Sequence, residues 1–60
     1  MKLKDYKETS IYLGIPLGTL YAKVARRGIP HVRLGPRHVL FDWDELDRWI
    51  EEHRVPVQPN

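Results

Sequence analysis

The chain has 60 residues, with ten Lys/Arg against eight Asp/Glu, a formal net charge of +2 and no cysteine. A chain of this length makes one small domain that buries only about 60% of its unfolded surface. The missing cysteines exclude disulfides and thiolate metal sites. No stretch approaches the roughly 18 apolar residues of a membrane span, and no charged-then-apolar leader opens the chain, so the expectation is a soluble, intracellular protein with no membrane partner and little volume for a catalytic pocket.

In chain order, Asp5-x-x-Glu8 forms a capping box: the Asp5 carboxylate accepts from a first-turn amide while Glu8 reaches back. Gly14 suits the left-handed residue that ends a helix, so the first helix is expected over about residues 6–13. Its inward stripe is Tyr6, Thr9, Ser10 and Leu13, at i, i+3, i+4 and i+7. The small pair in the middle lets another helix cross closely.

The second helix is expected from Pro16, which is comfortable in a first turn, through "LGTLYAKVARR" to Gly28. Leu17, Leu20, Tyr21 and Val24 make its apolar face, while Gly18, Thr19, Ala22, Lys23 and Arg26 fall on the other side. Only "GIP" separates the two helices, which predicts a helix-turn-helix with its second helix free to enter a groove.

The stretch "GIPHVRLGPRHVLFD" follows. Val32 and Leu34 alternate with His31 and Arg33, the period of a half-buried strand with the aliphatic pair inward. Gly35-Pro36 supplies the turn, and Val39 and Phe41 point one way in the return strand, His38 and Leu40 the other. Asp42-x-x-Glu45 is a second capping box and opens a third helix, with Trp43, Leu46, Trp49 and Ile50 as its stripe and Arg48 spaced to pair with Asp44 and Glu52. The expected architecture is a small, mostly helical α+β winged helix-turn-helix: two helices, a two-stranded β-hairpin wing and a third helix. Residues 1–54 form the domain, and the proline-containing residues 55–60 an extended tail.

The charges are segregated along this plan. Residues 1–41 hold eight Lys/Arg against Asp5 and Glu8, a balance of +6, while residues 42–60 hold Arg48 and Arg54 against six acids, a balance of −4. Between Thr9 and Phe41 there is no acid, yet Lys23, Arg26, Arg27, Arg33 and Arg37 all fall there. Clustered positive charge without local acids is what phosphate contacts require. A hairpin after a helix-turn-helix is a wing, and His31, Arg33, Arg37 and His38 on it would lie near phosphates or the adjacent minor groove.

"TLYAKVARRGIPHVRLGPRHVLFDWDELDRWI" resembles the excisionase-type DNA-binding domains of phages and integrative elements, whose fold is related to the mercury-resistance-regulator superfamily. The matching elements, within roughly Leu3 to Ile50, are Leu13-Gly14, Thr19-Leu20-Tyr21, Arg27-Gly28, Pro30, Arg33-x-Gly35, Phe41 and Trp49. The resemblance implies recognition-helix contacts from Thr19, Lys23 and Arg26, with Ala22 facing the groove floor. It also implies backbone or wing contacts from Arg27, Arg33 and Arg37, and a Tyr21 whose ring packs while its hydroxyl reaches a phosphate. Trp43 and Trp49 belong to the core. Three positions depart from the family pattern: Thr9-Ser10 stands where Ala-Ala is usual, Pro16 where a capping Ser is common, and Leu40 where an outward Arg is frequent. The second departure forgoes a side-chain cap, a loss of about 1 kcal/mol.

Catalytic chemistry finds no support in the sequence. His31 and His38, which paired strands would bring together, lack the cysteine or nearby carboxylate of a metal site, His53 is the only other histidine, no nucleophile–base pair is recognisable, and no glycine-rich loop has phosphate-binding spacing. No cofactor is implied. Three roles stay open: an excisionase that binds and bends attachment-site DNA, partnered by an integrase and by neighbouring copies of itself; a small transcriptional regulator of a phage or mobile element; and a protein-interaction adaptor that has lost DNA binding. The first two belong in a bacterial or phage-infected cytoplasm.

Overall fold

The computed structural model describes residues 2–57. Its elements in order are β1 (Leu3–Lys4), α1 (Tyr6–Leu13), α2 (Leu17–Ala25), β2 (Val32–Gly35), β3 (His38–Asp42) and α3 (Trp43–Glu52). The architecture is the small α+β winged helix-turn-helix expected, with one strand more than foreseen. The sheet order is β1-β3-β2, antiparallel throughout, with Leu3 opposite Asp42 and Lys4 opposite Phe41. A two-residue strand carries no periodic signal, which is why β1 is invisible in the sequence. The Trp43 amide also donates to the Lys2 carbonyl at 3.1 Å, so the chain start is tied to the head of α3.

Each helix begins and ends for a local reason. The Asp5 carboxylate caps α1 by accepting from the Glu8 amide at 2.8 Å, while the Glu8 carboxylate lies 3.8 Å from the Lys4 ammonium. At its other end Gly14 adopts φ 69°, with Gly14 N–H donating to the Ile11 carbonyl and Ile15 N–H to that of Ser10. These two bonds make a Schellman motif. Pro16 is the N-cap of α2 and supplies no side-chain cap, as the departure from the family pattern implied. Asp42 caps α3 through the Asp44 amide at 3.1 Å.

Helix α2 does not run to Gly28 as expected. It ends at Ala25, and the left-handed residue after it is Arg27, at φ 55°. Arg27 N–H donates to the Val24 carbonyl at 2.9 Å and Gly28 N–H to that of Lys23 at 2.8 Å. This is the bond pattern found at Gly14, built here around an arginine. The adjacent glycine hides the assignment, because Gly28 is the residue that such a cap would ordinarily use.

Leu20, Val24, Ile29, Val39, Phe41 and Leu46 are the buried apolar core, with Tyr6, Leu13, Ile15, Trp43, Trp49 and Ile50 packed around it. At about 1.5–3 kcal/mol for each fully buried large side chain, the six hold the three helices against one face of the sheet. Thr9 and Ser10 are buried where α1 crosses the core, and both hydroxyls are satisfied. Thr9 Oγ1 accepts from the Trp43 indole N–H at 3.1 Å, and Ser10 Oγ donates to the Lys7 carbonyl at 2.8 Å. The Thr9 departure from the Ala-Ala pattern thus answers a buried donor that α3 brings to the crossing.

The wing corrects the sequence reading in its phase. Register sets Val32 opposite Leu40 and Arg33 opposite the buried Val39, then shifts so that Gly35 meets His38. Opposed residues share a face, so Arg33 shares the face of Val39 with its side chain exposed, and the half-buried Val32 shares that of Leu40. Leu34 is the extra residue of this irregularity and is 58% exposed. A bulge re-aims the side chains around it, which period-two counting cannot foresee. Of the expected tail, Val55 and Val57 are exposed without regular structure, and residues 58–60 lie outside the described residues.

Candidate nucleic-acid interface

Helix α2 presents Thr19, Ala22, Lys23 and Arg26 to solvent, on the side away from the buried Leu20 and Val24. Gly18 belongs to the same exposed surface, and a Cβ placed there would meet nothing within 4 Å. Lys23 sits in the last turn, where the helix dipole favours a cation. Arg27, exposed and left-handed, carries the basic surface past the end of the helix. The stretch from Thr9 to Phe41 that supplies these residues holds no carboxylate.

Arg37 and His38 are exposed at the wing tip, Arg37 within the Pro36-Arg37 turn that joins the strands. His31 precedes β2 and is half-buried, with Nδ1 2.8 Å from the Ile29 carbonyl oxygen. A carbonyl only accepts, so Nδ1 carries the proton, and the ring is held to the loop after α2.

The tip and the recognition helix meet across a hollow of about 350 Å³ lined by Tyr6, Tyr21, Arg33, Pro36, Arg37 and Val39. An adjoining hollow reaches from Tyr21 and Leu17 past Arg37 and His38 to Asp5 and Lys7. The structure therefore brings together Tyr21, Arg33, Arg37 and His38 from the residues singled out in the sequence. Thr19, Ala22, Lys23, Arg26, Arg27 and His31 line neither hollow. Tyr21 is half-exposed rather than part of a closed apolar face, its ring centroid 4.3 Å from that of Tyr6.

Sequence reasoning placed Tyr6 in the inward stripe and missed that it also borders this opening. Its ring meets Phe41 edge-on at 5.3 Å on one side and Tyr21 on the other. Burial pushes its phenol above the ordinary value, the Arg33 guanidinium pulls it partway back, and Tyr21 adds a smaller upward push. The signal available beforehand was position: Tyr6 directly follows the cap residue, at the exposed end of the stripe.

Helix α3 carries the opposite charge. A third hollow, lined by Pro30, Glu45, Arg48, Trp49 and Glu52, lies along it, and the Glu51 carboxylate pairs with Arg54 at 3.1 Å. On its other flank Tyr12 stacks on Trp43 at 4.2 Å and donates to the Asp47 carboxylate at 2.5 Å. No helix among the described residues is long and apolar enough to cross a membrane.

Two helices joined by a three-residue turn, a hairpin beside the second, and a third helix closing the core define the winged helix-turn-helix class, whose second helix is the DNA-reading element. A family model for the helix-turn-helix domain matches residues 6–54. The chain belongs to that family, in its excisionase-like form, and is a DNA-binding helix-turn-helix protein. Comparison with curated proteins and with solved structures finds no match.

Proposed function

We propose that this protein is an excisionase: it binds and bends attachment-site DNA so that an integrase runs excision in place of integration. The observation that carries the reading is the exposure of Lys23, Arg26, Arg27, Arg33 and Arg37 on α2, its end and the wing, within a stretch from Thr9 to Phe41 that holds no acid. Residues 1–54 are the DNA-binding unit and residues 55–60 a tail. Thr19, Ala22, Lys23 and Arg26 enter the major groove, where base edges are distinguishable. Arg27, Arg33, Arg37 and His38 contact phosphates or the neighbouring minor groove, Tyr21 reaches a phosphate through its hydroxyl, and His31 lies beside one.

The acids of α3 are repelled by phosphate and face away from the duplex. That orientation leaves Glu45, Glu52 and Trp49 accessible to an integrase or to the basic surface of a neighbouring copy.

The test combines footprinting with an excision assay. Footprinting of the attachment region of the source element should give protection there, with a bend detected by gel mobility or by fluorescence transfer between the duplex ends. Added to integrase, the protein should raise excision and depress integration. With about five basic contacts, log affinity should fall with log salt at a slope near −4 to −5. Protection confined to promoters, with recombination unaffected, would make the protein a transcriptional regulator. A slope near zero would make it an adaptor.

A further inference from the structure

We infer that the hollow between Tyr6, Tyr21, Arg33 and Arg37 is a seat for a single DNA backbone phosphate, and that Tyr6 of the first helix is one of its donors. The inference rests on the DNA-binding reading and adds to it a defined subsite and a contact from an element outside the recognition helix and the wing.

The hollow has the chemistry of a phosphodiester site. Two guanidiniums and two phenols border it, and no carboxylate belongs to its lining. Asp5 borders the adjoining hollow, and its carboxylate is engaged by the Glu8 amide at 2.8 Å. A phosphodiester carries one negative charge on two unbridged oxygens, each able to accept several hydrogen bonds. Guanidiniums meet such oxygens with paired N–H donors, and a protonated phenol adds a single directed one.

Geometry holds the Tyr6 donor in place before DNA arrives, beside the exposed Arg33 and Arg37. Register puts Arg33 on the same face as the buried Val39, turned towards the tyrosines. The Tyr6 ring is fixed by Phe41 at 5.3 Å and by Tyr21 at 4.3 Å. Little freedom of the Tyr6 ring remains for binding to remove, which favours affinity at that contact.

The position gives the seat its consequence. Tyr6 opens α1, Tyr21 lies on α2, and Arg33 and Arg37 belong to the wing. One phosphate held by all three elements would fix the angle between the groove-reading helix and the wing. It would also set the register of the whole domain on the duplex, as backbone contacts do.

The experiment is a coupling measurement. Wild type, Tyr6→Phe, Tyr21→Phe and Arg33→Ala are each titrated against duplexes of the footprinted site in which one phosphate at a time is replaced by an uncharged methylphosphonate. Tyr6→Phe keeps the packed ring, and its melting temperature checks the fold. For wild type, one linkage should stand out, its neutralisation costing about tenfold or more in affinity, as expected for hydrogen bonds to a charged group. Tyr6→Phe should lose part of that factor on the unmodified duplex and be less sensitive than wild type to that linkage alone, since Tyr21, Arg33 and Arg37 still hold it, with the salt slope unchanged. Arg33→Ala should couple to the same linkage and lower the magnitude of the slope by about one.

The proposal is overturned if Tyr6→Phe binds like wild type, or if its loss simply adds to that of every methylphosphonate. Inorganic phosphate is titrated in parallel by NMR. A hollow that binds it while no linkage couples to Tyr6 overturns the assignment to DNA. Wild type that binds no duplex at all is a different result, because it removes the reading on which the inference rests.

Discussion

Replacing Arg27 by glycine should make the protein more stable and a weaker DNA binder at once. Arg27 holds φ 55° at the end of α2, the conformation that Gly14 holds at φ 69° at the end of α1. Both positions close the same pair of backbone bonds, at 2.9 and 2.8 Å after α2 and at 3.1 and 3.1 Å after α1. Only the side chain differs. A left-handed residue with a Cβ costs roughly 1–2 kcal/mol, and glycine's extra freedom in the unfolded chain returns about 0.4–1 kcal/mol of that. The net gain for Arg27→Gly is about 1 kcal/mol, or about 4–8 °C in melting temperature for a domain of this size. The reverse change calibrates the figure within the same molecule. A Cβ at Gly14 would meet nothing within 4 Å, so Gly14→Ala isolates the conformational cost from steric clash and should lower stability by a similar amount. Removing the Arg27 cation should reduce the magnitude of the salt slope by about 0.9 if it neutralises one phosphate. Thermal denaturation by circular dichroism and DNA titration at several salt concentrations read the two effects separately. A variant that melts at or below the wild-type temperature while Gly14→Ala is destabilised would refute the stability argument. Unchanged affinity and slope would remove the functional reason for keeping a strained residue there.

Further expectations separate helix from wing, and packing from surface. Lys23→Ala or Arg26→Ala should lower the preference for target over random DNA by about 1–3 kcal/mol, whereas Arg37→Ala should weaken both almost equally; competition assays giving the opposite pattern would reverse the assignment. Thr9→Val leaves the Trp43 indole N–H, now 3.1 Å from Oγ1, without its acceptor and should cost about 1–3 kcal/mol in denaturant titration; wild-type stability would show that water replaces the hydroxyl. The Tyr12 phenol sits above its ordinary value, first through its hydrogen bond to Asp47, then through burial and the Asp47 charge. A raised native value means that this stabilisation is fully present below the unfolded tyrosine pKa of about 10 and is lost as pH rises through the folded value. Melting temperature should therefore fall more steeply above about pH 10 for wild type than for Tyr12→Phe, and parallel curves would deny the linkage.

What the sequence reveals well is whatever one residue type decides locally. The Asp5 and Asp42 caps, the glycine end of the first helix and the Thr9-Ser10 crossing all follow from side-chain chemistry within a turn or two. The inward stripe of the third helix does too, with Leu46 buried and Trp43, Trp49 and Ile50 against the core. What stays hidden depends on partners distant in sequence or on one inserted residue. Leu3 and Lys4 become a strand only because Phe41 and Asp42 lie beside them. The register shift after Arg33 exposes Leu34 and turns Arg33 towards Tyr6 and Tyr21. The basic residues of the candidate interface were therefore legible as a set, while the grouping of some of them around Tyr6 was not.

The sheet order makes the two ends of this chain interdependent during synthesis. Leu3 and Lys4 have nothing to pair with until Phe41 and Asp42 have been made, and the Lys2 carbonyl waits for the Trp43 amide. Until Leu46 arrives, the buried sides of Leu20 and Val24 lack part of their cover. Pairings so distant along the chain are formed late, so the helix-turn-helix leaves the ribosome as two short helices without a finished core, each below the length that is stable alone. A premature stop anywhere before Leu46 would thus yield a chain that proteases remove. Truncated copies able to occupy the DNA and block the intact protein should not arise from this gene.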